Sequence, residues 1–204
     1  YDVVVTSPDG AQTQIADDFA FRSTAQQPDD IGKIYLFNND QAEGRYWIEH
    51  ITSEERLRPS NDALISVESS TSGAISASRE IGPSTSKRMT VSFDAVTTLP
   101  ADQTNAIIGI GAAGSDYHAY AQVPIVIRMF NDGYFSVYDG TRFVRSDVRH
   151  AANTKYSIRA GIDLERQTYS VHVTGWHRAA DRAGFRVPRD SAGACSDRQD
   201  LSVQ

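Results

Sequence analysis

Almost every periodic stretch of this chain repeats every two residues, and that periodicity excludes most folds. Met89-Thr90-Val91-Ser92-Phe93-Asp94-Ala95-Val96 alternates apolar and polar side chains. Successive strand residues point to opposite faces, so this run reads as a strand with one face in a core and one in water. Residues 156–162 and 169–174 alternate in the same way, and Ile107-Ile108-Gly109-Ile110 is shorter and more uniformly apolar. Residues 117–130 form the longest strand-like region, where Pro124 predicts an edge position, a bulge or a break. Asn131-Asp132-Gly133 is a turn signal and predicts a hairpin between 125–130 and 134–138. Helix is limited to one or two turns at 51–58 and one at 179–182. Many short strands separated by turn signals predict an all-β fold, a two-sheet antiparallel sandwich or jelly roll.

The two ends of the chain carry similar residues in the same order. Tyr1-Asp2-Val3-Val4-Val5-Thr6 is followed by Phe21-Arg22 and then Ile34-Tyr35-Leu36. Tyr169-Ser170-Val171-His172-Val173-Thr174 is followed by Phe185-Arg186 and then Leu201-Ser202-Val203. This self-similarity predicts a partial repeat. Residues 1–57 read as the C-terminal part of a preceding jelly-roll repeat, or as strands completing the same sandwich. Residues 58–204 read as a jelly-roll domain, with 56–62 as the linker. The reading places Phe21 and Phe185 in equivalent buried positions and makes 34–37 and 46–51 a hairpin.

With 204 residues, 40% of them hydrophobic, the chain is long and apolar enough for a globular core. A net charge of −6 argues against nucleic acid as a partner, because phosphate binding needs clustered cations. The local cations Arg142, Arg145, Arg149 and His150 read as a solvated loop. No apolar run approaches the ~20 residues that span a bilayer. The single cysteine, Cys195, offers neither an intramolecular disulfide nor a metal-type spacing and reads as a small buried residue. The chain starts inside an apparent strand without a Met or a signal peptide, which predicts a mature fragment or a module attached to other domains.

The run Phe130-Asn131-Asp132-Gly133-Tyr134-Phe135-Ser136-Val137-Tyr138-Asp139-Gly140, then Asn153-Thr154-Lys155-Tyr156, Asp163-Leu164 and Tyr169-Ser170-Val171-His172-Val173, resembles concanavalin A-like, laminin-G-like jelly rolls of bacterial secreted proteins. The resemblance covers 85–204 and, for its last third, 1–54. It implies a secreted or cell-surface protein acting on polysaccharide or oligosaccharide. Such domains include carbohydrate-binding modules, glycoside hydrolases, polysaccharide lyases and adhesion modules. The acidic strand Glu-x-Asp-x-x-Glu of the two-carboxylate hydrolases is missing. In Glu49-His50-Ile51-Thr52-Ser53-Glu54-Glu55 the outer carboxylates would lie ~20 Å apart on a strand, beyond the ~5.5 Å or ~6.5–9.5 Å such pairs need.

Alternation over 117–129 puts Ala119, Ala121, Val123, Ile125, Ile127 and Met129 on one face and His118, Tyr120, Gln122 and Arg128 on the other. Tyr138 and His172 fall outward on their own strands. These six predict a sheet face on which aromatic rings stack on sugars while Arg and Gln bind hydroxyls or carboxylates. Three functions follow: a glycan-binding module, a uronic-acid polysaccharide lyase, and a structural or adhesive repeat without small ligand. The lyase would draw its base, acid and carboxylate neutraliser from Tyr120, His118 and Arg128. Trp47 and Trp176 are candidate sugar platforms. No cofactor is implied; Asp17-Asp18 and Asp29-Asp30 are the candidate calcium ligands, and each also reads as a turn or cap.

Overall fold

The computed structural model describes residues 3–6, 11–22, 28–38, 44–53, 65–69, 75–82 and 86–176. The chain is an all-β sandwich of two antiparallel sheets. The strands are β1 (Val3–Thr6), β2 (Ala11–Ala20), β3 (Lys33–Asn38), β4 (Gly44–Ser53), β5 (Ile65–Ser69) and β6 (Ile75–Glu80). They continue with β7 (Arg88–Thr97), β8 (Ala106–Gly111), β9 (Ile125–Met129) and β10 (Tyr134–Tyr138). β11 (Phe143–Arg149), β12 (Tyr156–Asp163) and β13 (Thr168–Trp176) complete the set. Helix among the described residues is limited to the 3-10 turns Ala101–Gln103 and Tyr120–Gln122. One sheet has seven strands in the order β1-β2-β13-β12-β7-β4-β5; the other has six, in the order β11-β10-β9-β8-β3-β6.

The alternation read from the sequence sets the core. β7 buries Met89, Val91, Phe93 and Ala95, and β12 buries Tyr156, Ile158, Ala160 and Ile162. Opposite them, Ile108, Ile110, Ile125, Ile127, Met129 and Phe135 of the six-stranded sheet complete one hydrophobic cluster. Tyr169 of β13 crosses this layer, and its hydroxyl donates to the Tyr138 carbonyl of the other sheet. Burial of that hydroxyl pushes its pKa well above the usual phenol range.

The Asn131-Asp132-Gly133 hairpin forms between β9 and β10. Gly133 takes φ 83, a left-handed conformation that side chains resist. The 34–37 and 46–51 segments do not pair with one another. β3 pairs with β6 and β8 in the six-stranded sheet, whereas β4 pairs with β5 and β7 in the seven-stranded sheet. Both faces of β3 are buried: Ile34 and Leu36 on one, Tyr35 and Phe37 on the other. Phe21 is 3% exposed. Phe185, Arg186, Cys195 and 201–203 lie outside the described residues, as do 54–64 with the linker.

Candidate functional site

The six residues read from the sequence do not form one site. Residues 117–123 are not a strand. β8 ends at Gly111 and the chain runs through a loop whose 3-10 turn is Tyr120–Gln122. Ala119 and Ala121, expected in the core, are exposed. Their alternation arises from composition, since alanine tolerates water as easily as burial. Val123 is buried, but in a second hydrophobic cluster with Tyr35, Phe37, Ile107 and Val126, against which Tyr117, Tyr120 and Tyr138 pack. Glycines make room for this cover. A Cβ at Gly109 would lie 2.9 Å from Val123 Cγ1, and one at Gly111 would lie 2.5 Å from Tyr117 Cε2.

Each expected ligand-binding group is otherwise placed. Gln122 Oε1 accepts from the backbone amides of His118 (2.9 Å) and Ala119 (3.1 Å), which holds the turn closed. The His118 side chain is 80% exposed and 3.8 Å from Asp116. Arg128 Nε and Nη2 donate to Asn105 Oδ1 at 3.0 and 2.8 Å, and its guanidinium lies 3.6 Å from the Phe130 ring. The Tyr138 hydroxyl donates to the Thr141 carbonyl at 2.8 Å. The Arg22 guanidinium covers the Tyr138 ring at 3.7 Å and lies 5.7 Å from Tyr120. Tyr120 and Tyr138 thus meet under Arg22, and Arg128 is tied to Asn105 and Phe130. These contacts seal the outer face of the six-stranded sheet. His172 is on β13, in the other sheet.

The outer face of the seven-stranded sheet has a different character. Cross-strand partners in an antiparallel sheet point to the same side. β7, β12 and β13 accordingly present the rungs Asp94–Ser157–Thr174, Ser92–Arg159–His172, Thr90–Gly161–Ser170 and Arg88–Asp163–Thr168. At the near end, Glu49 of β4 pairs with Asp94, and Trp47 pairs with Val96. The half-buried Trp47 shares this face, with the Arg45 guanidinium 6.0 Å from its ring. At the far end lies a hollow of about 510 Å³ whose lining includes Thr90, Gly161, Arg166 and Ser170. Gly161 supplies its floor, where a Cβ would meet Ser170 Oγ at 2.9 Å. A second hollow of about 200 Å³ adjoins His50, Asp94, Ser157, Arg159 and His172.

His50 reaches this face through a bulge. β4 pairs Glu49 with Asp94 but Thr52 with Ser92, so β4 carries one extra residue. His50 takes φ 55, uncommon for a non-glycine residue. Ile48 faces the core before the bulge and Ile51 after it. The signal was legible: apolar positions 46 and 48 are followed by 51 rather than 50.

The bulge builds a polar cluster. His50 Nδ1 lies 3.0 Å from Asp94 Oδ2, and Ser157 Oγ donates to Asp94 Oδ1 at 2.5 Å. The ligating atoms of Glu49, His50 and Asp94 lie within 4.8 Å of one another, a set able to hold a divalent cation. The Lys155 ammonium already stands among them, bonded to Glu49 and 3.9 Å from Asp94 Oδ2. The Glu49 hydrogen bond raises the Lys155 pKa, so the ammonium stays charged. Arg88 Nε bonds Asp163 Oδ2 at 3.0 Å. Backbone donation from Arg166 leads the causes that hold the Asp163 carboxyl below its usual range.

The calcium candidates fare differently. Asp30 Oδ1 accepts from the Ala113 amide at 3.3 Å, a loop-tying role, and Asp29 is exposed. The side chains of Asp17, Asp18 and Trp176 lie outside the described set. Among the described residues no helix is long and apolar enough to cross a membrane. The fold and this face define the chain as a β-sandwich with one sealed and one open polar outer surface. No family model, curated protein or solved structure matches it.

Proposed function

We infer that this chain is a non-catalytic glycan-binding module of the concanavalin A-like jelly-roll kind, secreted or displayed at a cell surface. The sugar chain lies across the outer face of the seven-stranded sheet. One observation carries the reading: an open row of hydroxyl, imidazole and guanidinium groups runs from Trp47 to the Gly161 hollow. From Val96 to Arg88 that row spans about 26 Å at strand rise. Trp47 offers a ring for stacking, while Ser92, Ser157 and Arg159 offer directional hydrogen bonds. A stacked ring adds only ~1 kcal/mol beyond burial, so affinity is weak and shared among residues.

Calorimetric titration with a panel of neutral and acidic oligosaccharides tests this. Binding that weakens in Trp47→Ala and Arg159→Ala supports the reading. Absence of binding across the panel returns the chain to the structural or adhesive repeat. The lyase alternative rests on one rung, where His172, a candidate base, stands opposite Arg159, a carboxylate neutraliser. Rising ultraviolet absorbance with a uronic-acid polysaccharide, lost in His172→Ala, would select it.

A further inference from the structure

The edge strand β11 holds a second cluster that the open face does not use. Its register slips against β10: Ser136 pairs with Arg145, but Tyr134 pairs with Arg149. The excess residues in β11 bring both arginines to one tyrosine. The Arg145 guanidinium lies 4.4 Å from the Tyr134 ring centroid and that of Arg149 lies 5.1 Å from it. Arg149 Nε donates to the Tyr134 hydroxyl at 3.1 Å. Both arginines are exposed. Among the described residues neither makes an ion pair; Arg142 nearby takes Asp139, and Asp132 is engaged with the Tyr134 amide.

Two like charges against one ring repel, and among the described residues no ion pair neutralises either guanidinium. A guanidinium held against a ring keeps its planar fork of N–H donors available, the geometry that takes an oxyanion through two hydrogen bonds. A hollow of about 260 Å³ adjoins the stack, lined by Asn131, Gly133, Tyr134 and Arg149 as well as Asp102 and Asp132. We propose that the Arg145–Tyr134–Arg149 stack is an anion site for carboxylate or sulfate groups on a polysaccharide. It lies on the six-stranded sheet and does not depend on the open face of the other.

The test uses the full chain with heparin as the sulfated polymer, polygalacturonate as the carboxylated one and dextran as the neutral control, over a range of salt. The site requires tight binding of at least one polyanion that falls as salt rises. Arg145→Ala with Arg149→Ala weakens that binding about tenfold or more, since two charge-assisted contacts are removed. Arg145→Lys with Arg149→Lys keeps the charge but loses the fork and falls between. Arg159→Ala weakens binding less than the double variant does, because it lies on the other sheet. The polymer whose binding responds identifies the source of the oxyanion. Thermal melts of the variants match the parent, because both arginines are exposed. The proposal is overturned if neither polyanion binds better than dextran, or if the double alanine variant binds within about twofold of the parent. It is equally overturned if Arg159→Ala costs as much as the double variant, which would put the polymer on the open face.

Discussion

The two outer faces of this sandwich start from the same strand alternation and end in opposite states. On the seven-stranded sheet the outward positions of β7, β12 and β13 are mainly hydroxyls and charges, with Gly161, the half-buried His172 and the buried Val96 among them, and no hydrophobic cluster of the described residues covers them. On the six-stranded sheet the outward positions of β3, β8 and β9 include Tyr35, Phe37, Ile107 and Val126, which need a cover. The loop after β8 supplies it through Tyr117, Tyr120 and Val123. Polar residues on a sheet face are available to a ligand only when no second apolar layer recruits them. Arg128 and Tyr138 were recruited; Arg159 and His172 were not.

The sharpest way to break this comparison is to remove the anchor of the cover. Tyr35 is 1% exposed, stacks on Phe37 and donates to the Ser115 carbonyl at 2.7 Å. Tyr35→Ala should cost about 3–5 kcal/mol in urea unfolding, the range for a buried aromatic. The control, Ser92→Ala on the open face, should stay within about 0.5 kcal/mol. Equal effects would mean the two faces do not differ. Arg128→Ala comes next, at about 1–3 kcal/mol, because it strips Asn105 Oδ1 of both donors and uncovers Phe130. It should leave glycan titrations on the open face unmoved.

Acid should act through an imidazole packed against the core. His150 is 3% exposed, and its Nε2 lies 2.7 Å from the Phe130 carbonyl, to which it donates. Desolvation lowers its pKa below the ordinary 6.5. The unfolded chain therefore binds the proton more readily, and stability rises with pH in this window. The contribution is intact above 6.5 and is lost as pH falls through the folded value. Urea midpoints measured from neutral to mildly acidic pH should show that decline, and His150→Phe should flatten it. The smallest effect belongs to Trp47→Ala: roughly a fivefold loss of sugar affinity, the equivalent of ~1 kcal/mol, with little change in midpoint.

The pattern of β7, β12 and β13 was legible in the sequence because each buries one face and wets the other. The β9–β10 hairpin was legible because Asn131-Asp132-Gly133 meets a local backbone demand. Residues 117–123 misled because alanines mimic an apolar face, and nothing local shows that Val123 is buried outside the main core. β3 and β4 read as a hairpin because both alternate. Assigning them to different sheets depends on partners far along the chain. The open face is hidden for the same reason: alternation puts His172 outward but does not say on which sheet.

The strand order has a kinetic consequence. β2 pairs with β13 at Phe19 and Tyr169, β4 with β7 at Glu49 and Asp94, and β3 with β8 at Tyr35 and Gly109. Such pairings require large loops to close before any hydrogen bond offsets the lost chain entropy, and chains dominated by them fold in milliseconds to seconds. While this chain waits for its late strands, β3 has two apolar faces without cover. Refolding yield should therefore fall with protein concentration, as transient association of those faces competes with the arrival of β8 and the loop that follows it.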